Sequence, residues 1–314
     1  MSERKAFHRI VYQRGLPLLV LIAALFAPRF LPLYTIISMN NIFMYIVLTV
    51  SWAIFSGPTN YISLASAAFF GIGIYVSAIL GDTLPFPLVI FIGGLFSFLI
   101  ALLVGLSSLR LRGMYFTIFT FGLSELIRHS VLWWEVNITG TVGRIVFSLE
   151  NTAVYYAMLI VVLMTLGMAF LIARSRFGLA LRGIGESEDA TDHVGINVNG
   201  VKIVAFALST FFMGATGSIM ATRWSYIDPS IAFDPLSSFM PVLMAIFGGI
   251  GQIYGQILGA TVLTMLADML LTKFPYYYNL LYGIILVFVI LFLPKGLSGL
   301  KEEAQKRLEG GMAR

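Results

Sequence analysis

The sequence predicts an all-α fold, a polytopic transmembrane bundle of about ten helices with both termini in the cytoplasm. Only 11% of the 314 residues are charged and 59% are hydrophobic, whereas soluble domains carry roughly 25% charged residues. Apolar runs of about 20 residues, the length that crosses a bilayer, recur along the chain. The Lys and Arg residues are also unevenly divided between the connecting segments. These observations exclude an ordinary water-soluble protein.

Ten apolar runs are candidate membrane spans. The first follows a basic N-terminus, but it is long and lacks a small-residue cleavage site, so we expect it to be retained rather than removed as a signal peptide. The runs cover 16–34, 36–56, 61–80, 86–107, 114–133, 153–173, 202–221, 237–250, 252–271 and 278–293.

The basic residues set the predicted orientation. Of the 20 Lys and Arg residues, 15 lie in the N-terminal tail, in 107–113, in 174–202 or after Pro294. The remaining five lie at or near the other side: Arg29, Arg128, Arg144, Arg223 and Lys273. Cytoplasmic segments carry the excess of Lys and Arg. We therefore expect a cytoplasmic N-terminus and C-terminus.

Two of the ten runs leave an alternative open. The run 237–250 is about 21 Å long as a helix, which is less than the roughly 30 Å of the hydrocarbon core. The run 61–80 is rich in Gly, Ala and Ser, a composition compatible with a re-entrant segment. If neither run crosses the bilayer, eight spans plus re-entrant segments preserve the orientation.

The sequence contains no motif typical of an enzyme. It has no G-x-x-x-x-G-K-[ST] loop, no H-E-x-x-H and no G-x-S-x-G. It contains no Cys and only three scattered histidines, His8, His129 and His193. We therefore predict a transport protein without catalytic, metal or cofactor sites of its own. Any uphill transport takes its energy from an ion gradient or from a partner protein.

Three residues within the apolar runs are predicted to line a substrate pathway: Ser63, Ser66 and Glu125. Ionisable groups inside membrane spans commonly mark such pathways. Arg128 follows Glu125 by three residues on the same helical face, so mutual neutralisation of the two charges is the alternative interpretation. The two serines also suit hydrogen bonding between helices.

The segment 174–201 is the longest predicted cytoplasmic loop and the most highly charged. Ser187 is predicted to N-cap a short helix that Gly195 ends. Ala190, Thr191 and Val194 are expected to share one face of that helix. A compact helix between two spans is suited to docking on a cytoplasmic partner, and a merely solvated loop is the alternative.

Five stretches of the sequence, in order, resemble one family. They are NYISLASAAFFGIGIYVSA (60–78), LRLRGMYFTIFTFGLSELIR (109–128), SRFGLALRGIGESEDATDHVGINVNGVKIVAFALSTFFMGATGSIMA (175–221), FGGIGQIYGQILGA (247–260) and LYGIILVFVILFLPKGL (281–297). They are similar to motifs of the LivM/LivH-type permeases of branched-chain amino acid ABC importers. The second stretch resembles the LivM-type subunit in particular.

This resemblance implies a single permease domain over 1–314, with a coupling loop at 174–201 and a cytoplasmic tail at 295–314. Such permeases pair with a second, related permease and with two cytoplasmic subunits that bind ATP, and an extracytoplasmic binding protein delivers the substrate. The implied location is the prokaryotic inner, or plasma, membrane, with no nucleic-acid partner. The resemblance also implies that five residues of this loop couple the permease to the ATP-binding subunits: Glu186, Glu188, Asp189, Ala190 and Gly195.

The resemblance implies uptake of branched-chain or other hydrophobic amino acids. Two stretches depart from the family pattern, NITGTVGRI (137–145) and SLASAAF (63–69). Relatives in the same family carry urea or short amides, so these substrates remain an alternative. An ion-coupled secondary carrier that depends on Glu125 or Asp268 is a further one.

Overall fold

The computed structural model describes residues 24–292, with only part of the side chains in the last helix. The predicted tail 295–314 and the first part of the predicted span 16–34 lie outside the described residues. Residues 24–30 are helical. They are followed by α1 (Leu33–Thr59), α2 (Ser66–Leu80), α3 (Phe86–Ser108), α4 (Met114–Trp134), α5 (Asn151–Arg174), α6 (Arg176–Glu186), α7 (Glu188–His193), α8 (Val198–Ala221), α9 (Pro229–Ala232), α10 (Leu236–Gly248), α11 (Ile253–Lys273) and α12 (Tyr278–Phe292).

The all-α prediction is confirmed. Each predicted apolar run from 36 onward overlaps a helix, and most helix ends fall within a few residues of the prediction. Within residues 24–292, six helical segments are long and apolar enough to cross a membrane. They are α1, α3, α5, α8, α9 with α10, and α11. The total of ten spans and the side on which the termini lie stay predictions.

The run 61–80 differs from a continuous helix. Its helical part, α2, has 15 residues and is about 22 Å long. Residues 60–65 are not helical, because Asn60 takes a left-handed conformation (φ 59°) directly after α1. The chain therefore carries an irregular backbone segment inside the bundle, between α1 and α2.

Helix α8 is the centre of the bundle. Within the most apolar 18-residue stretch of α8, 78% of the residues are buried. The corresponding share is 33% for α3, α5 and α11. Small residues allow α2 and α3 to approach it closely, since a β-carbon at Gly73 would overlap the carbonyl oxygen of Gly214. The Ser218 hydroxyl also donates to the Gly73 carbonyl at 2.9 Å. These contacts fix α2 against α8.

Helices α10 and α11 also approach each other closely, at Gly255 and Gly259. A β-carbon at Gly255 would overlap the Gly248 carbonyl oxygen, and one at Gly259 would overlap the Met244 carbonyl oxygen. These two glycines hold α11 against α10. Gly251 lies in the turn before α11 and has open space beside it.

The bundle has two ends of different character. At the basic end, defined by Arg112, Arg182 and Lys202, the connection from α5 to α8 meets the C-terminal end of α1. There the Asn60 side-chain amide donates to the Gly185 carbonyl at 3.0 Å. At the opposite end, β1 (Arg144–Ile145) and β2 (Tyr226–Ile227) form an antiparallel ribbon.

Candidate functional site

The short helix predicted in the segment 174–201 is present as α7. The Ser187 hydroxyl accepts a hydrogen bond from the Ala190 amide at 3.3 Å, which confirms the predicted N-cap. Gly195 follows the helix with φ +89°, and its amide donates to the Asp192 carbonyl at 2.8 Å. Only glycine adopts this conformation at little cost, so the predicted end of the helix is confirmed.

The residues predicted to share one face of α7 lie in different environments. Thr191 is buried, whereas Ala190 is exposed and Val194 is 80% exposed. Thr191 faces Gly183 of α6, and its hydroxyl donates to the Ser187 carbonyl at 2.8 Å. The tip formed by Ala190 and Val194 is therefore an outward surface rather than part of the α6–α7 contact.

Of the residues predicted for ATPase coupling, one differs from the rest. Glu186, Asp189, Ala190 and Gly195 are exposed at the basic end. The side chain of Glu188 is only 15% exposed and points into the bundle. Glu188 therefore anchors α7, while Asp189 and Ala190 lie on its outer surface and Glu186 and Gly195 flank it.

Glu188 belongs to a buried polar network, the Lys202 cluster, which consists of Tyr61, Leu109, Arg112, Glu188 and Lys202. The Lys202 ammonium donates to Glu188 Oε1 at 2.9 Å, to the Leu109 carbonyl at 3.1 Å and to the Tyr61 hydroxyl at 3.3 Å. The Tyr61 hydroxyl donates to the same Glu188 oxygen. The cluster thus joins four segments of chain. They are the irregular segment 60–65 before α2, the loop before α4, helix α7 and the first turns of α8.

Arg112 extends the cluster to the surface. Its Nε lies 3.3 Å from Glu188 Oε2, and Nη2 lies 3.2 Å from Asp189 Oδ1. The Arg112 side chain is 67% exposed, so this outer pair contributes little to stability. It connects the start of α7 with the loop 109–113 at the surface.

The charges of the cluster are compensated. Lys202 is 2% exposed, and a buried ammonium is tolerated when it is paired and hydrogen-bonded. Burial alone raises the pKa of Glu188, but the hydrogen bonds from Lys202 and Tyr61 outweigh it, so this pKa lies below its usual value. Glu188 is therefore ionised at neutral pH.

Sequence reasoning did not find this cluster. Lys202 counted only as one of the basic residues of the loop, and Tyr61 carried no expectation. The available signal was a lysine four residues into an apolar helix, where a charge needs a buried partner.

The irregular segment 60–65 has its backbone satisfied by side chains of two helices. The Thr117 hydroxyl donates to the Ile62 carbonyl at 2.9 Å, and the Thr120 hydroxyl accepts from the Leu64 amide at 2.9 Å. Ser124 donates to the Leu64 carbonyl at 3.2 Å. From α1, the Trp52 indole donates to the Ser63 carbonyl at 2.8 Å. Non-helical backbone at membrane depth requires such partners.

Ser63 lies within this segment, and Ser66 follows it as the first residue of α2. They line a cavity of about 10 Å³ with Ser56, Ser209 and Thr210, which is near the smallest volume that holds one water. The Ser66 and Ser56 hydroxyls have no hydrogen-bond partner within the described part of the chain. The two predicted pathway serines therefore share one small cavity inside the bundle, which hydroxyl groups and apolar side chains such as Phe69 and Phe206 line together.

Glu125 lies on a different face of the structure. Its Oε2 accepts from Arg128 Nε at 2.9 Å and from Nη2 at 2.6 Å, so the predicted pairing of these residues is confirmed. The structure does not bring Glu125 to Ser63 and Ser66. Beside it, α4 carries a stripe of large side chains whose exposed fractions lie between 61% and 76%. They are Tyr115, Ile118, Leu126, His129 and Trp133.

The family model for permease components of branched-chain amino acid transport systems matches residues 34–290. The chain belongs to this family. Over 306 residues, the permease is 26% identical to the high-affinity branched-chain amino acid transport permease LivM of Salmonella typhimurium. It is 27% identical to LivM of Escherichia coli. Both matches cover 86% of this chain and 71% of the relative.

More distant relatives match shorter regions. The branched-chain amino acid transport permease BraD of Pseudomonas aeruginosa is 28% identical over 169 residues, covering 51% of this chain and 54% of BraD. The autoinducer 2 import permease LsrC of Photorhabdus laumondii is 23% identical over 139 residues, 42% of each chain. No solved structure matches the chain.

The family membership confirms the resemblance found in the sequence. The permease is a multi-pass protein of the inner membrane and an ABC transporter permease of the branched-chain amino acid family. Its relatives are transport components rather than enzymes. The matched region runs from α1 to α12 and includes both the Lys202 cluster and the segment 60–65.

Proposed function

We propose that this chain is one of two permease subunits of an ABC importer that takes up branched-chain or other hydrophobic amino acids. Two separate cytoplasmic subunits bind ATP and supply the energy, and an extracytoplasmic binding protein delivers the substrate. The chain itself holds no cofactor and contacts no nucleic acid. The observation that carries this proposal is the anchoring of α7: an exposed helical tip tied to the bundle through a buried ion pair.

The coupling role of α7 follows from its two sides. Its exposed side presents the Asp189 carboxylate and ends at the apolar Val194, and the Glu186 carboxylate lies just before it at the end of α6. Its inner side is held by Glu188 and Lys202 at 2.9 Å. A partner that pulls on the tip therefore moves the whole Lys202 cluster. Gly195 allows the chain to turn back into α8 directly behind that tip.

The cluster gives this motion a route into the bundle. Tyr61 is the second residue of the irregular segment 60–65, whose backbone contacts Thr117 and Thr120 of α4. Movement of α7 thus reaches α2 and α4 through hydrogen bonds and without crossing the centre of the bundle. We propose that this displacement shifts the permease between inward- and outward-facing states.

For the substrate pathway we propose Ser63 and Ser66 inside the bundle and Glu125 on the outer face of α4. A charged pair within an apolar, exposed stripe is costly against lipid. The second permease subunit would cover this stripe and place Glu125 and Arg128 between the two subunits. In this arrangement the basic end and both termini face the cytoplasm, as the distribution of Lys and Arg predicts.

Affinity purification of the tagged chain from native membranes tests the proposal. Mass spectrometry should identify a second permease and two ATP-binding subunits. Tagged variants with Val194→Asp should lose the ATP-binding subunits and retain the second permease, because only the α7 tip is altered. Recovery of the wild-type chain alone, or as a homodimer, would contradict the proposal. Uptake assays with labelled leucine and labelled urea then separate the two substrate classes.

A further inference from the structure

A second cavity opens at the opposite end of the bundle from α7. It has a volume of about 530 Å³ and lies between α1, α2, the end of α8, and the α9–α10 segment. Its polar lining includes Asn41, Tyr45, Arg223 and Asp234, and its apolar lining includes Trp224 and Ile231. Apolar walls with a few convergent polar groups are typical of small-molecule sites. None of the residues discussed above as coupling or pathway residues lines it.

The cavity contains one cation and one anion that do not pair with each other. Arg223 is half-buried and donates to the side-chain oxygen of Asn41. Among the described residues, no carboxylate oxygen lies within 4.0 Å of its guanidinium. Asp234 accepts a hydrogen bond from the Leu236 amide at 3.1 Å and has no cation within the same distance in residues 24–292.

The nearby carboxylate of Asp268 does not form an ion pair with Arg223. It influences Arg223 electrostatically, but neither of its oxygens lies within 4.0 Å of the guanidinium, and Oδ2 accepts a hydrogen bond from Ser38 of α1. Arg223 therefore keeps donor capacity toward the cavity, since a guanidinium carries five N–H donors. An unpaired charge in a half-buried position favours a ligand that brings the opposite charge.

We propose that this cavity accepts a zwitterionic amino acid with an apolar side chain. Arg223 binds the carboxylate, Asp234 binds the ammonium group, and Trp224 and Ile231 contact the side chain. The inference rests on the proposed function and adds to it the residues that hold the two charged groups of the substrate. Urea and short amides carry neither charge, so they would leave both residues unpaired and bind poorly.

The absence of cysteine from this chain allows a direct test. Ser237 lines the cavity, and Ser237→Cys introduces a single thiol there with little change in volume. Membranes that contain the complete transporter are treated with a membrane-impermeant methanethiosulfonate reagent, and the labelling rate is measured with and without ligand. Ser230→Cys, at another position of the lining, provides a second reporter. Thr83→Cys, exposed between α2 and α3 and outside the cavity, is the control thiol.

Leucine should protect the cavity thiol and leave the control thiol unaffected. At ten times its half-protecting concentration, labelling should slow about tenfold, in proportion to the unoccupied fraction. 3-Methylbutylamine, which lacks the carboxylate, and 4-methylpentanoate, which lacks the ammonium group, should each protect much less, and urea should not protect. Equal protection by all four compounds, or none by leucine up to its solubility limit, would overturn the proposal.

Charge-removing variants assign the two roles. Arg223→Gln and Asp234→Asn, each with Ser237→Cys, should abolish protection by leucine. Lys273→Gln, which removes an exposed cation at the same end, should retain it. The comparison of one-charge analogues uses the unchanged Arg223 and Asp234, so the proposal stays testable if a variant does not fold.

Uptake measured in the same membranes separates this inference from the proposed function. ATP-dependent leucine uptake without protection of either cavity thiol rejects the cavity alone. Protection by leucine without ATP-dependent uptake supports the cavity and rejects the proposed function.

Discussion

Lys202 of α8 and Glu188 of α7 form an ion pair of 2.9 Å beneath the surface of the basic end. Lys202 is 2% exposed, and its other donors reach the Leu109 carbonyl and the Tyr61 hydroxyl. The pair therefore connects α7 to α8. Through Lys202 it also connects both helices to the segments around Leu109 and Tyr61. Its geometry makes α7 a part of the bundle and distinguishes it from a solvated loop.

Lys202→Met should uncouple the transporter. The substitution leaves the Glu188 carboxylate without its principal partner, and breaking a buried pair costs about 3 kcal/mol or more. We expect a lower Tm of the detergent-solubilised complex and loss of substrate-stimulated ATP hydrolysis in proteoliposomes. Arg110→Gln removes an exposed basic residue from the same end and should change neither quantity.

A double variant identifies the origin of that effect. Lys202→Met with Glu188→Gln removes both charges, so the free energy of unfolding should partly recover relative to Lys202→Met alone. Coupling should stay lost because α7 is no longer tied to α8. Wild-type Tm and ATP hydrolysis in Lys202→Met would show that the ion pair has no such role.

The contribution of Glu188 should depend on pH in one direction. Its pKa is lowered in the folded state, so its stabilising effect is fully present above its unfolded pKa and is lost as the pH falls through the folded pKa. The Tm difference between wild type and Glu188→Gln should be constant at neutral pH and should shrink only below about pH 4.5. A difference that shrank on raising the pH from neutral would contradict this assignment.

Gly195→Val should reduce transport sharply while the amount of protein in the membrane stays normal. A β-carbon at Gly195 meets no atom within 4 Å, so the cost comes from the backbone, where φ is +89°. A branched side chain in this conformation costs about 1–3 kcal/mol, which is enough to reshape the turn behind the α7 tip. Gly195→Asn is the matched control, because asparagine tolerates left-handed backbone better than valine. If the two variants took up substrate at the same rate, the backbone conformation of Gly195 would have no role in coupling.

Most helices could be predicted from the sequence because bilayer spans require long apolar runs. The predicted run 86–107 corresponds to the helix Phe86–Ser108. The N-cap at Ser187 was predictable because it depends on residues close to it in the sequence. The break at 60–65 was not predictable in the same way. It is stabilised by Thr117 and Thr120, which lie more than 50 residues away. Hydropathy does not report such long-range hydrogen bonds.

The candidate site shows the same division. The local features of α7, its N-cap and the glycine that ends it, were predicted correctly because they depend on residues close in sequence. The burial of Lys202 depends on Tyr61 and Leu109, which lie 141 and 93 positions earlier. Charge counting assigned Lys202 to the correct end of the bundle but could not predict that it is buried.

Thr120→Val should destabilise the segment 60–65. The substitution leaves the Leu64 amide without its acceptor at 2.9 Å, and an unsatisfied buried donor costs about 1–3 kcal/mol. We expect a lower Tm of the solubilised complex. Thr264→Val is the control, since the buried Thr264 hydroxyl only donates within its own helix, to the Ala260 carbonyl. Similar Tm losses in the two variants would indicate a general cost of removing a buried hydroxyl.

Glu125→Gln distinguishes a structural pair from a pathway residue. The substitution removes the carboxylate that receives two hydrogen bonds from Arg128, so an unpaired guanidinium remains in a membrane helix. If the pair only neutralises charge, Glu125→Gln with Arg128→Met should restore both protein level and uptake, because neither charge is then present. If Glu125 lies on the pathway, as we propose, the double variant should restore the protein level but not the rate of leucine uptake per molecule. Uptake normalised to protein level in the single and double variants decides between the two roles.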